Sequence, residues 1–559
     1  MSVRLYQAGD IILRENDTGE TAYIIKRGRV EVTKELHGQN VHIAFIGAGD
    51  IFGEMSLVDD KPRSATVTAI EETEVSEFHR EEFFHSLHTN PDMALQLLRG
   101  LFERLRNAHI TILQYHYLDR LYGELLERGV NYFFPTGRLT VLGPIPASRP
   151  VLTYHAQQGT VLELEWLHAR YAFSRPGKPF SEHENRLLKS IGHVLSSRYH
   201  LLFHTDLAAQ SFHLFRGLSE DRYVSAFLDQ APYSCVEALP HVMDRIAEAI
   251  EVLRVSALTT YEDRRIITGV LLYGAQPDSS HPLPPPPPDS LPYSGALTSI
   301  RSFHRLSDAL QTVALVNQDG LLVEIIDIQR WAQPFADAYL PVPSTTRYQA
   351  HSRATLGGGH ICLILTPNGE IKAFANGVQV FNFIDGRWRL TDAVEKYRLW
   401  EHAIGDSQLA ERLFTAALNL AEYRRGGLFV VLDDVRMVEN LVVTNDLLSY
   451  EHHLSEVYAP GAKEQLHYLL RHKRVLDIAP TVLETLARID GAIVLDREAN
   501  LLSFGTILRH PLARNERVQA TEGGRTTAAL AASWFGNVLK ISEDGLIAFF
   551  QQGECVWEM

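Results

Sequence analysis

A chain of 559 residues, 45% hydrophobic and 22% charged, exceeds what one hydrophobic core usually fills yet has the composition of ordinary folded protein, which excludes general disorder and predicts roughly three to four domains. A formal charge of −15 argues against broad nucleic-acid binding, because backbone phosphates need a concentrated basic surface. The three cysteines Cys235, Cys362 and Cys555 are far apart and form no CxxC pair, which excludes a disulfide framework and a thiolate zinc site.

MSVRLYQAGD lacks an apolar signal core, and no apolar run is long enough to span a bilayer, so the expectation is a soluble cytoplasmic protein with no membrane partner. From Gly9 to Glu77 the chain reads as short alternating strands punctuated by Gly19, Gly28, Gly47 and Gly49, the pattern of a small antiparallel barrel or sandwich. Within it, FGEMSLVDDKPRSATV (Phe52 to Val67) sets Glu54 and Arg63 around a short helical turn. Free N–H groups at a helix start favour an anion, an arginine can grip two phosphate oxygens, and a carboxylate accepts from a sugar hydroxyl. Phosphate plus ribose suits both charges.

That stretch closely resembles the phosphate-binding cassette of cyclic-nucleotide-binding domains, and the glycine-cornered strands match the family's β-roll over about residues 5 to 110. The resemblance implies cAMP or cGMP as ligand, with Glu54 on the ribose 2′-hydroxyl and Arg63 on the cyclic phosphate; Gly53 and Ser64 belong to the same cassette, and Ser64 leaves the base open. An empty roll with Glu54 and Arg63 as an internal ion pair is the competing reading.

A strongly helical stretch follows, from Pro91 to Arg128, expected to end at Gly129. Ala94, Leu98, Leu101, Leu105, Ala108, Ile112 and Tyr115 form a narrow apolar seam that fits either a parallel homodimer or packing within the chain. No helix-turn-helix segment follows, so DNA is not expected as a partner. VLTYHAQQGTVLELEWL reads as two strands joined at Gly159, and Ser181 with Glu184 as the capping box of the next helix. Strand, turn and helix together resemble the closing part of a GAF-like sensor domain.

PDSSHPLPPPPPDSLPYSG (277–295) favours extended polyproline II and reads as an exposed spacer, with a stiff loop between structured elements as the safer reading over a site for a proline-binding partner; Asp319-Gly320, Asn368-Gly369 and Asn376-Gly377 beyond it are hairpin signals. In the last 150 or so residues, helices alternate with buried strands, implying a sheet covered by helices. Asp490-Gly491-Ala492, then Gly523-Gly524-Arg525-Thr526-Thr527, then Ser542-Glu543 resemble, in this order, the diadenylate cyclase domain of bacterial DNA-integrity scanning proteins, over about residues 405 to 555. The resemblance implies ATP with Mg or Mn, Asp490 as a catalytic and metal-binding carboxylate, and Glu543 as a second acid. Active members carry Arg-His-Arg where this chain has Arg525-Thr526-Thr527, so triphosphate charge is poorly met. The ordinary alternatives are a β-turn at Asp-Gly and a helix start chosen for packing.

The expected architecture is multi-domain α+β: a β-roll with C-terminal helices (1–112), a helical connector with a GAF-like segment (113–205), an α+β middle carrying the proline-rich linker (206–404), and a C-terminal α/β sheet covered by helices (405–559). The expected function is a bacterial signalling protein. Its cyclic-nucleotide sensor is coupled to a domain that binds a nucleotide without turnover, the alternative being an active diadenylate cyclase.

Overall fold

The computed structural model describes residues 2–36, 39–59, 61–89, 118–144, 153–157, 161–166, 169–175, 179–201, 217–230, 233, 243–261, 264–276, 281–300, 303–448, 467, 469–509 and 523–559. The seam from Ala94 to Tyr115 lies outside them. The chain divides into two compact units, Met1–Leu121 and Tyr122–Met559.

In the first unit, strands β1 (Ser2–Tyr6), β2 (Ile11–Leu13), β3 (Thr21–Arg27), β4 (Arg29–Leu36), β5 (Gln39–Gly47), β6 (Ile51–Phe52), β7 (Thr66–Ala69) and β8 (Thr73–His79) form two four-stranded antiparallel sheets. Their orders are β1-β8-β3-β6 and β2-β7-β4-β5, the β-roll expected. Alternation along the strands aims Tyr23, Ile25, Val30, Ile46, Phe52, Val67 and Val75 into one core. Between β6 and β7 lies helix α1 (Met55–Asp59), and after β8 comes α2 (Arg80–Thr89). Gly28, with φ +93°, turns β3 into β4, a left-handed conformation that suits glycine. Gly19 also lies between strands, β2 and β3, and there it permits the close approach described below.

The second unit carries three main sheets. Thr153–Gln157 and Val161–Trp166 form the expected hairpin within a four-stranded antiparallel sheet, and Ser181 with Glu184 makes the expected reciprocal cap, Ser181 N–H donating to Glu184 Oε2 at 2.9 Å and Glu184 N–H to Ser181 Oγ at 3.1 Å. Gly129 does not end its helix, which runs on to residue 133. A Cβ there would lie 3.0 Å from Ile191 and 3.1 Å from Tyr223, so this glycine serves close helix packing.

A seven-stranded mixed sheet spans Thr268 to Leu390. Asp319-Gly320, Asn368-Gly369 and Asn376-Gly377 all turn hairpins in it, with φ of +75°, +80° and +79° at the glycines. The proline-rich stretch is a loop between structured elements. It connects two adjacent strands of this sheet, Thr268–Leu272 and Thr312–Val316, and among its described residues Pro282, Pro285 to Asp289, Leu291 and Pro292 are exposed. At its ends His281 stacks on Trp331 with centroids 4.1 Å apart, and Pro292 bridges to Leu321.

The last sheet has six strands: in spatial order Leu501–Thr506, Ala492–Asp496, Gly427–Leu432, Gly536–Ile541, Ile547–Gln551 and Glu554–Glu558. Gly427–Leu432 is buried throughout because both faces are covered. Phe429 and Val431 pack toward helix Ser407–Glu422, while Leu428, Val430 and Leu432 pack toward Ala529 and Ala532 of helix Gly524–Ala532. Among the described residues no helix is long and apolar enough to cross a membrane.

Candidate functional site

The cassette folds as a loop around one guanidinium. Arg63 is 5% exposed, and its Nη1 donates to the Gly53 carbonyl at 2.6 Å and to Ser56 Oγ at 2.7 Å. Its Nη2 donates to the Thr21 carbonyl at 2.7 Å and to Thr21 Oγ1 at 3.2 Å. Room for this comes from glycine. A Cβ on Gly19 would sit 2.3 Å from Arg63 Nη2, and Gly53, at φ +77°, would put one 2.9 Å from Nη1. Burial draws the Arg63 pKa down, opposed by the nearby Tyr23, Glu54 and Asp17 charges.

Glu54 is 2% exposed at the entry to α1, where its carbonyl receives the Leu57 and Val58 N–H groups. Glu54, Arg63, Gly53 and Ser64 line one small solvent-open cavity, with Leu13, Val32, Ile46, Phe52, Met55, Ser56, Ala65 and Val67 as its other walls. Two buried charged side chains, a hydroxyl and apolar walls give the mixed lining a polar ring system on a phosphate would need.

Residues 3–90 match the family model described as the cyclic nucleotide-binding domain. This N-terminal segment is a cyclic nucleotide-binding domain. The cyclic AMP receptor protein of Thermus thermophilus is 36% identical over 110 residues, 20% of this chain and 51% of that protein. The cAMP-dependent protein kinase regulatory subunit of Dictyostelium discoideum is 39% identical over 82 residues, 14% of this chain and 25% of that protein. The crystal structure of the Thermus thermophilus catabolite activator protein aligns at 32% identity with a TM-score of 0.21, over 23% of this chain and 62% of that one. The chain thus spans about half, or less, of the length of these two curated relatives.

Outside the cyclic nucleotide-binding domain, the second set of predicted residues converges on one end of the six-stranded sheet. Gly491, at φ +114°, precedes strand Ala492–Asp496, and Gly523, at φ +100°, caps helix Gly524–Ala532. Arg525 and Glu543 face one another, Nη1 to Oε1 at 2.9 Å. Thr526 Oγ1 accepts from Lys540 Nζ at 3.0 Å, and Thr527 Oγ1 donates to the Gly523 carbonyl at 3.4 Å. Arg525 and Glu543 line an open cleft with Arg424, Arg425, Gly426, Thr485, Arg488 and Ile489; Asp490, next in sequence, is exposed.

Arg424, Arg425 and Arg488 escaped the sequence reading. The visible signal was Arg-Arg-Gly-Gly at a helix end, and a Cβ on Gly426 would lie 2.0 Å from Arg525 Nη1, so a side chain there would displace that guanidinium. A hard divalent cation needs several carboxylate or phosphate oxygens. Glu543 is committed to Arg525, and among the described residues no three His, Cys, Asp or Glu side chains converge, so the protein donors alone do not fit Mg or Mn.

Proposed function

We propose that the N-terminal domain binds cAMP or cGMP and that this binding regulates the C-terminal domain, which holds a nucleotide phosphate without turning it over. The observation that carries the reading is the shared cavity of Glu54 and Arg63, two buried opposite charges with a hydroxyl and apolar walls beside them. A cyclic phosphate takes the guanidinium, and a ribose hydroxyl donates to the carboxylate. Arg63 already serves protein acceptors through Nη1 and Nη2, so ligand entry exchanges some of those contacts and shifts the loop that makes them.

Four arginines around the Gly523 helix start support an anion site in the C-terminal domain. Absence of turnover rests on charge: transfer at phosphorus depends on positioned cations and metal-binding carboxylates, and here Thr526 and Thr527 are neutral while Glu543 is paired. Calorimetry with cAMP and cGMP on wild type and Arg63→Ala tests the sensor. Heat with neither nucleotide at millimolar concentration overturns it.

A further inference from the structure

Two sheets of the second unit repeat one topology. Numbering the strands of each in chain order, both run 3-2-1-4-5-6, with strands 1 and 2 parallel and the others antiparallel; the seven-stranded sheet adds one strand at its edge. The registers superpose. Leu272 pairs with Val316 on one side and Ile361 on the other, as Val431 pairs with Leu495 and Asn537.

The turns repeat as well. After strand 2, Asn317 N–H donates to the Leu321 carbonyl and Asn317 Oδ1 accepts from the Asp319 and Leu321 N–H groups; Asp496 does the same with Asn500 and with Glu498 and Asn500. After strand 4, Thr366 N–H donates to Glu370 and Ser542 N–H to Leu546, each at 2.8 Å. Each sheet is preceded by a helix capped by an aspartate, Asp244 and Asp406. Six strands in one order, two matched registers and two identically bonded turns are more than a shared fold class requires.

We propose that residues 244–390 and 406–559 are two copies of one domain, and that the anion site of the first copy is filled by the Glu422 carboxylate of the second. Aligned on the caps of the helical turns that follow, Thr345-Thr346-Arg347-Tyr348 falls on Gly523-Gly524-Arg525-Thr526; aligned on the turn after strand 2, Gln311 falls on Asp490. In the second copy this end is the open arginine cleft, lined by second-copy residues. In the first copy Glu422 enters this end, beside an open pocket that Thr345, Glu370 and Lys372 also line. Glu422, the last residue of helix Ser407–Glu422, accepts from Tyr348 Oη at 2.6 Å and pairs with Lys372 Nζ at 3.0 Å and Arg347 Nη1 at 3.8 Å, with its side chain 6% exposed.

Asn419, one turn earlier, fixes the approach by accepting from Thr346 N–H at 2.9 Å and donating to Thr346 Oγ1 at 3.0 Å. A guanidinium, an ammonium and a phenol around the Glu422 carboxylate, the ammonium shared with Glu370 at 3.6 Å, is how a protein would hold a phosphate oxygen. The contact is head to tail, so it consumes one site and leaves the other open. Arg424 links the two, lining the open cleft while pairing with Glu370 of the first copy at 2.8 Å.

The inference rests on reading the Arg525 end as an anion site, and calorimetry with inorganic pyrophosphate on the full chain separates the two claims. The expected stoichiometry is one per chain for wild type, two for Glu422→Ala, none for Arg525→Ala, and one for Glu422→Ala with Arg525→Ala. Folded Glu422→Ala that still binds one, with the double variant binding none, overturns the filled site. Wild type binding none while Glu422→Ala binds one would sink the Arg525 cleft and leave the filled site standing. Glu422→Ser also vacates the position of the carboxylate while keeping a polar group at the helix end, so it decides the same question should the alanine variant unfold. Lys372→Met in that background is expected to remove the gained site.

Discussion

Arg63 and Gly19 are a matched pair, one side chain occupying the space the other lacks. Removing the guanidinium deletes charge-assisted bonds worth about 2 to 3 kcal/mol to a ligand, so Arg63→Ala is expected to weaken cyclic-nucleotide affinity by roughly 30- to 150-fold in calorimetry. Gly19→Ala tests the geometry rather than the charge. Its Cβ would fall 2.3 Å from Arg63 Nη2, and because Gly19 does not have positive φ the backbone itself tolerates alanine. Displacement of Arg63, and with it a loss of affinity comparable to Arg63→Ala, is the expected result. Unchanged binding in a folded Gly19→Ala protein would show that the ligand does not use this guanidinium. The sequence exposed Glu54 and Arg63 through their spacing, but the meaning of Gly19 depends on a side chain forty-four positions away, and no local pattern could reveal it.

At the scale of one element, helix Glu182–Leu201 shows which local signals survive folding. Ser181 and Glu184 satisfy two end donors reciprocally, and Arg175 grips the same glutamate at 2.6 and 2.7 Å. Ser181→Ala is expected to cost about 1 kcal/mol, read as a lowered denaturation midpoint with unchanged slope. No change in midpoint would mean that water caps the helix equally well. Gly129 shows the opposite case. A glycine late in an apolar-periodic run predicts a stop, yet the helix continues, because Ile191 and Tyr223 press against it from neighbouring helices. Alanine there is expected to destabilise by about 1 to 3 kcal/mol through overpacking, read as a lowered denaturation midpoint, and an unchanged midpoint would show that the neighbouring helices yield.

For the whole molecule, polar contacts tie the middle elements of the second unit to the seven-stranded sheet. Trp388 donates through N–H to Tyr132 Oη at 2.7 Å and through Nε1 to Asp221 Oδ1 at 2.7 Å, and His183 Nδ1 lies 3.4 Å from Asp392 Oδ1. Burial pushes the Asp392 pKa up, but hydrogen bonds from His183 and Ser181 with the nearby Lys396 charge outweigh it and hold the carboxyl below its ordinary range. A depressed folded pKa gives stability that is present above the unfolded value and lost as pH falls through the folded one. Asp392→Asn is therefore expected to be less stable than wild type at pH 7, with the gap closing at acidic pH. A gap independent of pH would assign the effect to geometry alone. For the C-terminal domain, purified protein with ATP and Mg or Mn is expected to yield no cyclic dinucleotide, with or without cAMP or cGMP. Robust synthesis abolished by Asp490→Asn would overturn the non-catalytic reading.

What the sequence determined by itself was local: the short antiparallel strands of the N-terminal barrel or sandwich, which the cassette's resemblance made a β-roll, the hairpins from Asn-Gly and Asp-Gly pairs, the capping box, and the helix-strand order of the last 150 residues. Each depends on residues within a few positions of one another, where dihedral preference and periodicity act directly. Only the tertiary structure decided that the proline-rich stretch connects neighbouring strands of one sheet. Extended polyproline II is the same local conformation in a spacer and in a loop, and what distinguishes them is the pairing of Leu272 with Val316 across it. It also decided which charges meet. Glu422 ends an amphipathic helix, where its sequence neighbours predict a solvated side chain, yet its partners Tyr348 and Lys372 come from another sheet. Repetition of the strand order was equally hidden, because a shared topology is preserved by pairing and burial rather than by residue identity, so two copies can keep their registers and turns after their sequences have diverged.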